Sequence, residues 1–217
     1  MRRDAAIKTR RGGPGTHALD EDYADGLDDT GRRYLATIRD SATRMGRLID
    51  DLLRYARVER RATERRPVLL KPMLDQLLAD FTEEMKARHL TVAEDLAVGE
   101  VMAEREGLRE ALANLLSNAV KFSPARGGTI SVRSYRDGDR VVIAVGDQGI
   151  GFDMTYHDRI FGIFERLHRQ EEYPGTGVGL AIVRKVAERH GGRAWADSEI
   201  GRGSVFYFAV PSPRRPS

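Results

Sequence analysis

Three observations in the sequence predict an α+β fold: an α/β sandwich, its mostly antiparallel mixed sheet carrying helices on one face, behind a long N-terminal helix. First, apolar or small residues at Leu35, Ile38, Ala42, Met45, Ile49, Leu52 and Ala56 alternate steps of three and four, the seam of a coiled coil or helical bundle. Second, alternating stretches flank Asp137-Gly138 and Gly201-Arg-Gly203, so hairpins outnumber crossovers. Third, two amphipathic stretches, roughly 106–122 and 177–190, have the helical period and sit among those strands.

Taken in order, residues 1–19 are rich in Arg and Gly without periodicity, and Arg11-Gly-Gly-Pro-Gly15 breaks any helix. Residues 20–59 hold the seam, with one helix expected over Thr30–Val58. Residues 60–67 read as a linker, and 68–212 as one domain. Within it a short strand is expected at Val68–Leu70, a helix over Pro72–His89, a strand at Leu90–Asp95 and a helix over Glu106–Phe122. The hairpin Thr129–Tyr135 and Arg140–Asp147 follows, then a short helix at His157–Phe164 and a longer one ending at His190. The hairpin Arg193–Asp197 and Ser204–Val210 closes the domain.

Composition narrows the function. The chain of 217 residues, 41% hydrophobic and 32% charged, is that of a globular protein of one or two domains. No run approaches the roughly 20 apolar residues of a membrane span, so no membrane segment is expected. The absence of cysteine excludes disulfides and thiolate zinc sites and fits a reducing cytoplasm. Basic and acidic residues number 36 and 33, a mixed surface. The basic run Arg54–Arg66 is interrupted by Glu59 and Glu64 and reads as a solvated helix end, so no nucleic-acid partner is expected.

The chemistry lies in three segments. On the 106–122 helix, Asn114, Asn118 and Lys121 share a face, while Leu108, Ala111, Leu112, Leu115 and Ala119 cover the core side. Two carboxamides and an ammonium are costly to bury without a partner; Mg2+ with a polyphosphate supplies one, because amide oxygens suit a hard cation. Asp147 continues the parity of Val141, Ile143 and Val145, placing a carboxylate on the inward face of its strand; an adenine amino group is a candidate donor. Gly149 and Gly151 permit close approach of a planar ligand. Gly175, Gly177 and Gly179 precede a helix, where free amides and the dipole favour phosphate. Neither a P-loop lysine nor a βαβ context accompanies these glycines.

In this order the segments resemble a family. Asn114–Phe122, Asp147–Gly151, Ile160–Phe164, Gly175–Gly179 and Gly201-Arg-Gly203 look like the N, G1, F, G2 and G3 boxes of sensor histidine kinases. The stretch from Ile163 to Gly177 is similar to bacteriophytochrome-like kinases. The resemblance spans residues 20–211 and implies the Bergerat ATP-binding fold, with ATP and Mg2+ as cofactors. It further implies that Asn118, with Asn114 alongside, holds the metal through the ATP phosphates, that Lys121 meets phosphate and that Phe122 packs near adenine. Asp147 would take the adenine amino group, with Gly149 and Gly151 beside the base. Gly175, Thr176, Gly177, Val178, Gly179 and Leu180 would line the nucleotide, and Arg169 would reach the terminal phosphate, with Asn114, Lys121 and Arg169 the catalytic set. Gyrase-like and MutL-like ATPases carry a water-activating glutamate at the position of Asn114. Asn is a poor general base, so the site suits transfer over hydrolysis.

The resemblance also implies a preceding helix with His-(Glu/Asp)-x-x-x-Pro. Counting back from Asp22-Tyr23 lands near Arg2–Arg3, and nothing there matches. His17 lacks the adjacent acid and the proline; His89, His157, His168 and His190 fall within the nucleotide domain, His190 at a helix end where a positive charge complements the dipole. The expectation is a donor site without a phosphoacceptor in cis, with a response-regulator aspartate as eventual partner. A homodimer or heterodimer through residues 30–58 is expected, and a non-catalytic, dimerising module that competes with full-length kinases is the alternative.

Overall fold

The structure is a computed structural model that describes residues 28–60, 64–167, 173 and 175–212, with the side chain of Arg60 left aside. The 1–19 segment, His17, His168 and Arg169 therefore lie outside the described residues. The chain divides into two compact units, Met1–Asp50 and Asp51–Ser217.

Helix α1 spans Asp29–Arg60. It opens where Asp28 Oδ1 accepts the amide of Gly31 at 2.7 Å, an aspartate cap on orphan amides. In the first unit its seam is open to solvent: Ile38, Met45 and Ile49 are each more than half exposed.

The second unit is the sandwich. Strand β1 (Arg66–Leu69) pairs antiparallel with β3 (Glu100–Ala103) in a two-stranded ribbon. The remaining strands are β2 (Leu90–Leu96), β4 (Gly128–Asp137), β5 (Arg140–Asp147), β6 (Arg193–Glu199) and β7 (Gly203–Pro211). They form one sheet of order β2-β4-β5-β7-β6, antiparallel throughout except for the β2–β4 pair. The helices are α2 (Leu70–Asp80), α3 (Thr82–Ala87), α4 (Arg105–Phe122) and α5 (Gly179–Arg189).

Strand parity decides the core. Ile130 and Val132, Val141, Ile143 and Val145, and Phe206, Phe208 and Val210 point to one face, and all are buried with Leu108, Leu112, Leu115, Ile182, Val183 and Val186 of the helices. The opposite face carries Arg133, Tyr135, Trp195 and Tyr207, the last two stacked with ring centroids 5.0 Å apart.

Two expectations need correction, and one element is new. The helix expected over Pro72–His89 is two helices, broken at Phe81, which adopts φ −103° and ψ 2°. The short helix expected at His157–Phe164 is a pair of 3₁₀ turns, Met154–Tyr156 and Arg159–Phe161, the first capped by Asp153 accepting the Thr155 amide at 2.8 Å. Strand β3 was not anticipated: four residues give too few alternations to register as a period.

Candidate nucleotide-binding site

Glu104 begins the site by capping α4. Its carboxylate accepts the amides of Glu106 and Gly107, each at 2.8 Å, satisfying donors that a helix start leaves orphaned. Leu108, Ala111, Leu112, Leu115 and Ala119 are then buried, and the opposite stripe presents Asn114, Asn118, Lys121 and Phe122, all half-buried. Asn114 Nδ2 donates to the Glu110 carbonyl at 2.8 Å. Its Oδ1 faces α5, where a Cβ on Gly179 would lie 2.7 Å away. Asn118 makes no side-chain hydrogen bond among the described residues.

Lys121 sits with its Nζ 4.2 Å from the centroid of the Phe122 ring, and a Cβ on Gly175 would stand 3.3 Å from it. Burial, reinforced by the nearby Arg166 guanidinium, lowers its pKa to about 8. Among the described residues it has no acidic partner. Phe122 in turn packs on Tyr173 with ring centroids 5.0 Å apart, and Arg166 donates to the carbonyls of Tyr173, at 2.7 Å, and of Gly175.

Asp147 ends β5 on the inward face and is 8% exposed. Burial raises its pKa to about 6, opposed by hydrogen bonds from the amides of Gly149 and Ser204, the first 2.8 Å long. Gly149 passes directly beneath the end of α4: a Cβ there would fall 1.9 Å from the Phe122 carbonyl oxygen. Gly151 has φ +60°, and the Gly201 amide donates to Ile150 O at 2.7 Å, so the β6–β7 turn closes over the Asp147–Gly151 loop.

The glycine loop ends at α5. Gly177 has φ +77°, a conformation glycine adopts without penalty, and its carbonyl accepts the Phe164 amide at 3.0 Å. Thr176 Oγ1 donates to Asp51. Val178 is fully buried and Leu180 half-buried. The first turn of α5 has no capping side chain and no acidic residue, so the helix itself supplies nothing to offset its positive end.

The structure thus brings Asn114, Asn118, Lys121, Phe122, Gly175, Thr176, Gly177, Val178, Gly179 and Leu180 to the junction of α4 and α5. Asp147 and Gly149 lie at the C-terminal end of α4, and Gly151 lies beneath the β6–β7 turn, against Glu199 and Gly203. Several contributions went unread in the sequence. Phe164, which the resemblance places in the F box, holds φ +66° and is 49% exposed, a strained backbone for a bulky residue that nothing in the sequence announces. Arg166 and Tyr173 stand in a polar stretch without periodicity. Arg88 reaches the α4 C-terminus across 32 residues of chain. His190 is corrected: it is a neutral acceptor. Its Nε2 accepts the Glu104 amide at 2.8 Å while Nδ1 bonds Val186 O at 2.7 Å, and burial lowers its pKa.

Residues 103–214 match the family described as histidine kinase-, DNA gyrase B- and HSP90-like ATPase, and residues 16–61 match the His Kinase A (phospho-acceptor) domain. The chain belongs to this ATPase family, and within it to the sensor histidine kinases. It is 35% identical to cyanobacterial phytochrome A of Nostoc sp. strain PCC 7120 over 89% of its own length and 25% of that protein. It is 36% identical to the phytochrome-like protein Cph1 of Synechocystis sp. strain PCC 6803, over 89% of this chain and 26% of that one. The chain therefore spans about a quarter of the length of these curated relatives. Among solved structures it superposes on full-length ShkA in complex with AMPPNP with TM-score 0.69 and 26% identity, covering 94% of this chain and 42% of that one. The mycobacterial sensor histidine kinase MprB gives TM-score 0.60 and 27% identity over 68% and 97%. Among the described residues no helix is long and apolar enough to cross a membrane.

Proposed function

We propose that this chain is the ATP-binding catalytic core of a two-component sensor histidine kinase, transferring a phosphoryl group from Mg-ATP to histidine. The observation that carries the reading is Lys121: a half-buried cation beside Gly175 of the glycine loop that leads into α5, with no acidic partner among the described residues. A polyphosphate answers both the ammonium and the helix dipole. Asp147 would accept the adenine amino group, Phe122 would pack near the base, and Gly149 and Gly151 would let the base approach the backbone. Gly175 to Leu180, with Thr176 and Val178, would line the phosphates, and Arg169 would reach the terminal one. The AMPPNP complex of the ShkA neighbour supports ATP as the ligand.

The donor set fits magnesium. Asn118 has a carboxamide with no hydrogen-bond partner among the described residues, and Asn114 turns its oxygen toward the glycine loop; neutral amide oxygens suit a hard cation already held by phosphate. When bound, the ion would neutralise charge developing on the transferred group. Asn at 114 offers no general base, which favours transfer over hydrolysis.

No His-(Glu/Asp)-x-x-x-Pro sequence occurs in the 217 residues, so autophosphorylation on these residues is not expected. The phosphoryl group would pass on to a response-regulator aspartate. Residues 20–59 would form the dimerising region, pairing through 30–58, joined by 60–67 to the catalytic domain 68–212. The open seam of α1 favours one second reading, a non-catalytic ATP-binding module that pairs with full-length kinases. Incubation with labelled ATP tests the proposal. The expected result is nucleotide binding that Asp147→Ala abolishes, no acid-labile label on this chain, and label on a supplied histidine-bearing relative. Rapid steady-state hydrolysis would overturn the kinase reading, and label lost on His17→Ala would overturn the missing acceptor. Heterodimers that block a relative's transfer without labelling it would establish the second reading.

A further inference from the structure

Helix α4 stops without the usual device. Its C-cap, Ser123, is extended at φ −58° and ψ 153° and precedes Pro124, so no left-handed glycine folds back to satisfy the last carbonyls. The Ala119 carbonyl is taken by the Ser123 amide, at 3.1 Å, and by its hydroxyl, at 2.7 Å. Two of the later carbonyls, and that of the cap itself, are taken from across the fold. Arg88 Nη1 donates to Val120 O and, at 3.2 Å, to Lys121 O, while Nη2 donates to Ser123 O. The carboxylate of Glu84 stands 3.8 Å from the same guanidinium. Arg88 is delivered there by a reversal: it caps α3, and His89 follows with φ +53° before β2 begins.

We infer that Arg88 is a positioning residue for the nucleotide site, fixing the last turn of α4 so that Lys121 and Phe122 are held toward the phosphate loop and the base. The inference rests on the nucleotide reading above for its consequence, but not for its geometry. A planar fork with several donors spans three carbonyls that a single ammonium cannot hold in one arrangement, and a cation complements the negative end of the helix. The effect extends further. The Phe122 carbonyl lies against Gly149, whose amide donates to Asp147, so the end of α4 is one wall of the Asp147 loop.

The test uses the whole chain and the variants Arg88→Gln and Arg88→Lys. Side-chain NMR of Lys121 follows its titration, and calorimetry follows Mg-ADP and adenosine. In Arg88→Gln, Lys121 is expected to titrate upward from about 8 toward the ordinary lysine range. Mg-ADP is expected to bind about tenfold more weakly, the scale of losing a buried cation at a helix C-terminus, with Arg88→Lys intermediate. Adenosine, which has no phosphate, should lose less. An unchanged Lys121 titration together with unchanged Mg-ADP affinity overturns the inference, whatever happens to the melting temperature, because a purely structural role moves only the latter. If Arg88→Gln does not fold, the same readings on Arg88→Lys decide. Wild-type protein that fails to bind Mg-ADP would sink the nucleotide reading, and the Lys121 titration would still judge Arg88.

Discussion

The main-chain amide of Glu104 donates to Nε2 of His190 at 2.8 Å, tying the start of α4 to the end of α5. With Nδ1 committed to Val186 O, the imidazole serves both bonds only when neutral, and burial holds its pKa below the usual histidine value. The unfolded chain takes up a proton near pH 6.5, so this group's stabilisation is complete above that value and is lost as pH falls toward the lower native pKa. His190→Gln should cost about 1–3 kcal/mol at neutral pH, the range for an orphaned buried donor. Urea denaturation of both proteins is expected to show the gap narrowing on acidification. A gap that is constant with pH would mean His190 does not carry the bond as a neutral ring. Asp147 works in the opposite direction, since its native pKa of about 6 exceeds the unfolded value, so the comparison is made between variant and wild type rather than on one curve.

Gly149 is expected to tolerate no side chain. An alanine Cβ would meet the Phe122 carbonyl oxygen at 1.9 Å and Asp147 Oδ1 at 2.8 Å, and the nearer obstacle is backbone. Gly149→Ala should lose about 1–3 kcal/mol to overpacking and displace either the α4 terminus or the carboxylate. Gly99→Ala, with nothing within 4 Å, is the control. Equal melting temperatures and equal Mg-ADP affinities for the two variants would refute the close approach.

The open seam of α1 gives a prediction about assembly. Ile38, Met45 and Ile49 are 54%, 58% and 57% exposed, which is costly for apolar side chains left in water. Ile49→Glu should shift sedimentation of the chain from dimer toward monomer while leaving Mg-ADP affinity intact. A wild-type chain that sediments as a monomer at all concentrations would exclude pairing through this seam.

The site was legible in the sequence where local chemistry is periodic or punctuated. The seam, the Asp137-Gly138 and Gly201-Arg-Gly203 turns and the polar face of 114–121 each repeat or break a pattern within a few residues. Asp147 was readable because it shares the strand parity of Val141, Ile143 and Val145, although β5 is apolar and buried on both faces from 141 to 146 and does not alternate. What escaped depends on distance along the chain or on a single backbone state. Arg88 and Lys121 meet only after the fold is formed, Phe164 adopts a left-handed conformation that its residue type disfavours, and β3 is too short to show a period. The histidine at 190 was read as an ordinary helix-end cation because its position was visible, whereas the Glu104 amide that requires it neutral was not.

The two perturbed groups of the site fix the pH dependence of nucleotide binding. Asp147 must be ionised to accept the adenine amino group, so affinity should fall as pH drops through about 6. Lys121 must be charged to hold phosphate, so affinity should fall again as pH rises through about 8. Mg-ADP should therefore bind most tightly between these values, each limb approaching a tenfold change per pH unit, the limit for one proton. Because phosphate binding favours the ammonium and the base favours the carboxylate, the bound complex has both pKa values spread apart, and the limbs report the free protein. Adenosine separates the two groups: its acid limb should remain and its alkaline limb should vanish. Lys121→Met should flatten the alkaline limb for Mg-ADP in the same way, while Asp147→Asn should remove most affinity for either ligand, because its amide presents a donor where the base also donates. An adenosine profile that keeps the alkaline limb would show that Lys121 does not act through phosphate.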